Sequence, residues 1–267
     1  MRLRKPIAYK ARVALGVVSV LCICLFYLWL SHRQHVQNER DQTIPALGQL
    51  WEGLTAVVTR NPNDHKVWLL SDAAATFTRL ALGVGVCVVC SIILGLLMGC
   101  YAVVEAFFLP PLAFLAKIPP TAMMAVFFVT VGVGLEMFVA MIAFGMLPTL
   151  TQAIYTAAKE DVPEELVWKS YTLGATQPEI IWNVIYKQIL PAIIESVRLQ
   201  IGPAMVYLIA AEMIVADMGF GYRIRMQSRL LDMRVVYVYL VVLGLAGYAI
   251  DHVLRTLARV CCPWFYK

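Results

Sequence analysis

Charges are spaced so unevenly along this chain that the gaps between them outline its elements. Val13 to Leu30 is an uncharged run of 18 residues, long enough for one helix across a bilayer core of ~30 Å. Leu80 to Val104 is free of charge again. Glu105, Lys117, Glu136 and Lys159 then leave the uncharged runs 106–116, 118–135 and 137–158. Pro110-Pro111 and Pro119-Pro120 fall in the first part of that region. Proline removes a backbone donor and crowds the preceding turn. The pattern therefore predicts one interrupted helix at about 107–131 and a regular one at about 135–157. Ala192–Ala216 and Val235–Leu254 are the last two apolar runs. The expectation is an all-α polytopic membrane protein with about six transmembrane helices.

The polar stretches divide the chain. Residues 1–31 form a basic segment and the first span; its Arg2, Arg4, Lys5, Lys10 and Arg12 have no acid among them. The apolar run exceeds the ~7–15 residues of a signal peptide's apolar core, and Trp29-Leu30-Ser31-His32 is a poor cleavage site. Residues 32–76 read as an extracytoplasmic segment, in which Leu47, Leu50, Trp51 and Leu54 recur at helical spacing within Ile44 to Val58. That spacing predicts an interfacial helix. Residues 77–256 hold the remaining spans, and 257–267 form a tail. An even number of spans puts both termini on one side, and the N-terminal charges put that side in the cytoplasm. The loop 217–234, with Arg223, Arg225, Arg229 and Arg234, departs from that rule.

Composition agrees with the spans. Apolar residues reach 61% and charged residues only 15%, against a usual ~45–50% and ~25%, with a mean hydropathy of +0.74. A net charge of +5 is too small a surplus for a nucleic-acid surface. Cys87-Val88-Val89-Cys90 has redox spacing but sits in an apolar run with no base nearby, so helix packing is expected. Two histidines, His32 and His35, do not make a metal site. Gly95-Leu96-Leu97-Met98-Gly99 is a small-residue packing motif. Neither a phosphate-binding loop nor an H-E-x-x-H or G-x-S-x-G motif occurs, and this chain is expected to bind no cofactor.

Residues 159–191 are the most informative polar segment. They read as two short helices joined at a glycine. Asp161-Val162-Pro163-Glu164 supplies a cap, a proline and a first-turn acid, and Leu173-Gly174 supplies a stop. Thr176-Gln177-Pro178-Glu179 has the form of a capping box. The second helix then carries Ile180, Ile181, Val184, Ile185 and Ile189 on one stripe, and Pro191 is expected to break it. Such a pair either presses on a partner or merely connects two spans.

Here a resemblance adds to the reading. Pro163 to Pro191, centred on Leu173-Gly174-Ala175-Thr176, resembles the coupling loop of ATP-binding-cassette (ABC) importer permeases. More narrowly, the chain is similar to the taurine, sulfonate and nitrate branch. The supporting stretches are Ile44-Pro45 with Leu50-Trp51, Thr78-Arg79-Leu80-Ala81-Leu82-Gly83, Lys117-Ile118-Pro119-Pro120 and Gly132-Val133-Gly134-Leu135-Glu136. Ala211-Glu212-Met213 and Gly219-Phe220-Gly221-Tyr222 complete them. Asn61-Pro62-Asn63-Asp64, Arg198 to Ala204 and Gly221-Tyr222-Arg223-Ile224 resemble the permeases found beside urea carboxylases, which implies a guanidinium- or urea-like solute. Two departures stand out: Trp168-Lys169-Ser170 replaces the family's Glu-Ala-Ala, and Tyr186-Lys187 replaces its first Leu-Pro.

The resemblance implies a type I importer permease fold in a bacterial inner membrane. It also implies a second copy of the chain, two cytoplasmic ABC ATPase subunits and an extracytoplasmic solute-binding protein. By the same resemblance, Glu164, Glu165, Trp168, Lys169, Leu173, Gly174, Ala175, Thr176 and Glu179 would contact the ATPase. Lys117, Pro119, Pro120, Glu212 and Tyr222 would lie along the solute pathway. From the residues alone, Glu212 in the apolar run Leu199–Ala216 either faces a pathway or braces a neighbouring helix. Lys117 either faces a cavity at the proline break or snorkels. Arg198 and Glu195, one turn apart, are expected to pair. An intramembrane enzyme or stand-alone channel using Glu212 is the alternative function. The charge of the solute stays open, because carboxylates and cations are both present in the membrane region.

Overall fold

The computed structural model describes residues 8–37, 42–60 and 67–265. Arg2, Arg4 and Lys5, the Asn61–Asp64 stretch and Lys267 lie outside the described residues. The described chain is helical: α1 (Tyr9–Gln37), α2 (Leu47–Val58), α3 (Trp68–Cys100), α4 (Ala102–Leu115), α5 (Met124–Val131) and α6 (Leu135–Glu160) come first. They are followed by α7 (Glu164–Thr172), α8 (Gln177–Ile180), α9 (Tyr186–Val215), α10 (Phe220–Arg229) and α11 (Met233–Cys261). Among the described residues five helices are long and apolar enough to cross a membrane, or six if the bent pair α4–α5 counts as one span.

A stripe of small residues explains how the centre is built. On α3, Gly83, Cys87, Ser91, Gly95 and Gly99 recur every four residues, so they share one face. That face lies on α6. A Cβ at Gly95 would stand 2.8 Å from the Ile154 Cβ, and one at Gly99 would stand 2.5 Å from the Ala158 Cβ. Only hydrogen at these positions lets the two backbones come so close. Cys87 is buried in this seam beside Ser91, while Cys90 is exposed; both are free thiols. On α6, Met141, Met146, Leu150 and Ile154 fill the space between α3 and α9. A smaller cluster of Val57, Phe220, Ile224 and Tyr239 lies under α10.

Other parts differ from the sequence expectations. The second span starts at Trp68, three turns before the uncharged run, because Asp72 and Arg79 are paired inside the fold. Of the two proline pairs, only Pro119-Pro120 breaks the chain. Pro110 and Pro111 lie within α4, and the bend of 85° falls between Leu115 and Pro120. Pro120 opens a short 3₁₀ turn, Pro120–Met123, that seats against Gly145 and Tyr207. Pro191 does not end the second loop helix either. From Gln177 to Val215 the chain is one helical rod of 39 residues. Its π-helical turn, Ile181–Ile185, joins α8 to α9. Pro191 is buried in that rod, where one missing hydrogen bond is tolerated among packed neighbours.

At the N-terminal end, α1 stands apart from the bundle. It is tied at its far end, where the Tyr27 hydroxyl donates to the Pro45 carbonyl at 2.7 Å and Ser31 donates to the same oxygen at 3.2 Å. The helix expected within Ile44 to Val58 occurs as α2. Gly53 lets it rest on the backbone of Arg234, whose guanidinium reaches Glu52 at 3.0 Å.

Candidate functional site

Two regions concentrate the chemistry: the loop α7–α8 and the elbow between α9 and α10. The loop begins at Glu164, with Pro163 in the cap position, while Asp161 ends α6 instead of capping α7. Glu164 and Glu165 occupy the first turn, where the helix dipole favours negative charge. The helix ends as the sequence indicates. Gly174 has φ +83° and donates to the Tyr171 carbonyl at 3.0 Å, and Ala175 donates to the Ser170 carbonyl at 3.1 Å. Those two bonds form a Schellman stop, and a Cβ at Gly174 would carry the left-handed penalty.

Past the glycine, the Glu179 carboxylate accepts both the backbone N–H and the hydroxyl of Thr176, each at 2.8 Å. The N–H first, and then the hydroxyl, holds the Glu179 carboxyl below its ordinary range. Ile180, Ile185 and Ile189 are buried and root the rod in the core. The opposite side of the loop is bare. Trp168 is 66% exposed and Leu173 87% exposed, and Leu166 and Tyr171 are exposed beside them. Lys169 and Glu165 are 3.7 Å apart and open to solvent, so their pairing adds little. Ala175 is half-buried and Thr176 exposed.

At the elbow, charged groups from distant parts of the chain converge. Asp72 and Thr76 on α3 are fully or nearly fully buried, as is Glu212 on α9. Glu212 accepts from the Thr76 hydroxyl at 2.9 Å, from Arg79 Nη1 at 2.8 Å and from the Gly221 N–H at 2.9 Å. Asp72 accepts from the Gly219 N–H at 3.1 Å, from Arg223 Nε at 2.9 Å and from the Tyr239 hydroxyl at 2.7 Å. The Phe220 N–H donates to Thr76 Oγ1 at 2.9 Å. Three successive amides that open α10 are thus taken up by three side chains, two of them on α3. Each guanidinium also lies on an aromatic ring, Arg79 on Phe138 and Arg223 on Trp68, both 4.2 Å from Cζ to the centroid. A buried carboxylate is costly unless paired and hydrogen-bonded; here both are.

Glu212 is therefore not the isolated carboxylate its apolar run suggests. Tyr222 is half-buried on α10, with its ring near Arg223 and Arg225. Lys117 is exposed at the α4–α5 break and makes no salt bridge among the described residues; Pro119 is exposed and Pro120 half-buried beside it. No hydrogen bond or ion pair among the described residues links this group to Glu212 and Tyr222. Arg198 pairs with Glu195 as expected and also with Asp251 on α11, at 2.8 Å. Among the described residues no group of three metal-ligating side chains occurs.

Sequence reasoning missed Asp72 and Thr76 as site residues. Asp72, Thr76 and Arg79 are spaced four and three apart, which puts them on one face of α3. That spacing was the available signal.

Residues 91–264 match the family described as binding-protein-dependent transport system inner membrane component. A probable ABC transporter permease protein of Brucella melitensis biotype 1 is 29% identical over 196 residues, which cover 73% of this chain and 79% of the relative. The taurine transport system permease protein of Escherichia coli (strain K12) is 23% identical over 265 residues, 99% of this chain and 94% of that protein. Among solved structures, a chain of the MetNI methionine ABC transporter in an inward-facing conformation matches with a TM-score of 0.59 at 19% identity. That match covers 72% of this chain and 97% of the other.

Proposed function

This chain belongs to the family of binding-protein-dependent transport system inner membrane components, the permease subunits of ABC importers, and from that premise we propose that two copies of it form the pathway for a small polar solute. The family is a transmembrane component and not an enzyme. ATP is bound and hydrolysed by two separate cytoplasmic ATPase subunits, and a binding protein delivers the solute on the outer face.

The observation that supports this reading best is the α7–Gly174–α8 loop. It has a Schellman stop at Gly174 and a capping box at Thr176, is rooted by Ile180 and Ile185, and yet presents Trp168 and Leu173 bare. A segment so well ordered and so exposed in its large apolar side chains fits a groove on a partner. Trp168 and Lys169 stand bare on the loop and select an ATPase whose groove is wide enough for an indole. Both termini face the cytoplasm, with the basic N-terminal residues on the inside. Lys117, with Pro119 and Pro120 at the break in α4–α5, faces the pathway, since unwound backbone at membrane depth must line protein or a cavity. Tyr222 borders it at the elbow. The solute is of the sulfonate, nitrate or guanidinium class, and the taurine permease among the relatives supports the first of these. An intramembrane enzyme or channel built on Glu212 is disfavoured, because three donors already occupy that carboxylate.

Gly174→Leu tests the loop. The variant is expected to insert and to pair with itself, but to lose coupling between ATP hydrolysis and uptake. Normal solute-stimulated ATP hydrolysis by purified Gly174→Leu complexes would remove the loop from the mechanism.

A further inference from the structure

We propose that Asp72, Thr76, Arg79, Glu212, Arg223 and Arg225 make the elbow between α9 and α10 a rigid joint, so that α8, α9 and α10 move as one lever. The joint itself is a matter of geometry; its use in carrying coupling-loop motion across the membrane rests on the permease reading above.

A link as short as Ala216–Gly219 between two helices, with a glycine at φ +123°, would ordinarily be a hinge. Here both helix ends are tied down. The carbonyl end of α9 is held by arginines: Arg225 donates to the Ile214 carbonyl at 2.8 Å and to the Ala216 carbonyl at 3.3 Å. Arg79 donates to the Met218 carbonyl at 2.7 Å. The amide end of α10 is held by Asp72, Thr76 and Glu212. Cations thus meet a helix C-terminus and carboxylates meet a helix N-terminus, the favourable sense at both ends. Nearly every one of these bonds crosses between elements, so bending the elbow breaks several buried bonds together. Neither Gly219 nor Gly221 has room for a side chain: a Cβ on Gly219 would stand 2.6 Å from Glu212 Oε1, and one on Gly221 2.5 Å from the Ile209 carbonyl oxygen and 2.6 Å from Glu212 Cβ.

The rod that ends at this joint begins at the coupling loop. Its 39 residues from Gln177 to Val215 span about 58 Å at 1.5 Å per residue. A tilt of α8 is therefore delivered to α10, at the far end of the membrane region, without being lost at the elbow. In this role Thr76 and Glu212 are positioning residues.

The test uses the full chain in lipid nanodiscs, with accessible native cysteines replaced by serine and nitroxides on Gln188→Cys and Arg229→Cys. Labelled protein is diluted with unlabelled copies so that only distances within one chain are read. Wild type and Thr76→Ser are expected to give one narrow distance, and Glu212→Ala a distribution at least twice as wide. Where Glu212→Ala does not fold, the double variant Thr76→Val with Arg225→Leu carries the same expectation. An unchanged width in the variant that folds overturns the joint. No partner enters that measurement, so its failure is separate from failure of the permease reading, which would appear as a wild-type chain that captures no ATPase subunit. With radiolabelled taurine, nitrate and guanidinium as probes, Thr76→Val should move at least fivefold less solute per ATP hydrolysed, and Thr76→Ser should restore the ratio. An unchanged ratio in Thr76→Val overturns the lever.

Discussion

Replacing Gly219 by alanine asks two things of the structure at once. The first is conformational. At φ +123° and ψ 169° the backbone lies in a region essentially reserved for glycine, and forcing a Cβ there costs about 1–3 kcal/mol. The second is steric. The new methyl would stand 2.6 Å from Glu212 Oε1 and 2.7 Å from its Cδ. That carboxylate cannot retreat without releasing Thr76, Arg79 and Gly221, and overpacking of this kind costs about 1–3 kcal/mol. Together the loss is roughly 2–6 kcal/mol. Gly174→Ala is the internal control. Its φ is +83° but nothing lies within 4 Å of the added methyl, so only a backbone cost of about 1–2 kcal/mol applies. Thermal unfolding in detergent, followed by loss of the monodisperse peak, should therefore drop by roughly 10 °C for Gly219→Ala and by a few degrees for the control. Combining Gly219→Ala with Glu212→Ala should cost less than the two singles added, because the clash disappears. A Gly219→Ala protein that melts no lower than Gly174→Ala refutes the reasoning.

Two further outcomes follow from the same geometry. Gly95→Val should separate α3 from α6, since its Cβ alone already meets Ile154 at 2.8 Å and the Thr151 carbonyl at 3.0 Å, whereas Gly85→Ala points into open space and should gain about 0.5–1 kcal/mol of helix preference; equal melting of the two variants would contradict the packing described. The Glu179 carboxyl titrates below its ordinary 4.5 because Thr176 bonds its charged form, so its capping is complete above that value and is lost as pH falls through the lowered one. Amide exchange over 176–182, corrected for its intrinsic pH dependence, should accelerate at acid pH in wild type but not in Glu179→Gln, and equal acceleration in both would exclude the cap as the cause.

The spans and the loop were legible in the sequence because each rests on local chemistry. Charge gaps mark where a helix faces lipid, and Leu173-Gly174 and Thr176 to Glu179 carry their own stop and cap. Asp72 and Arg79 misled for the same reason. A sliding reading sees two charges beside an apolar run and ends the membrane there, but their partners Arg223 and Glu212 lie 151 and 133 residues further on. Glu212 looked solitary for the converse reason. Pro191 and Pro110-Pro111 show that a proline in a packed helix need not stop it, while Pro119-Pro120 follows a carbonyl bonding pattern already turned away from the α-helix at Lys117 and Ile118.

The π-helical turn at Ile181–Ile185 works as a buffer. A turn that closes from i to i+5 holds one residue more than its α-helical counterpart, whereas one residue of α-helix corresponds to about 100° of rotation around the axis. Removing a single residue there would heal the widened turn and leave α7 and α8, with Trp168 and Leu173, near their present compass bearing, while removing one from the α-helical stretch beyond it would swing them by about 100°. The widened turn thus lets the chain gain or lose one codon between loop and rod without redirecting the loop.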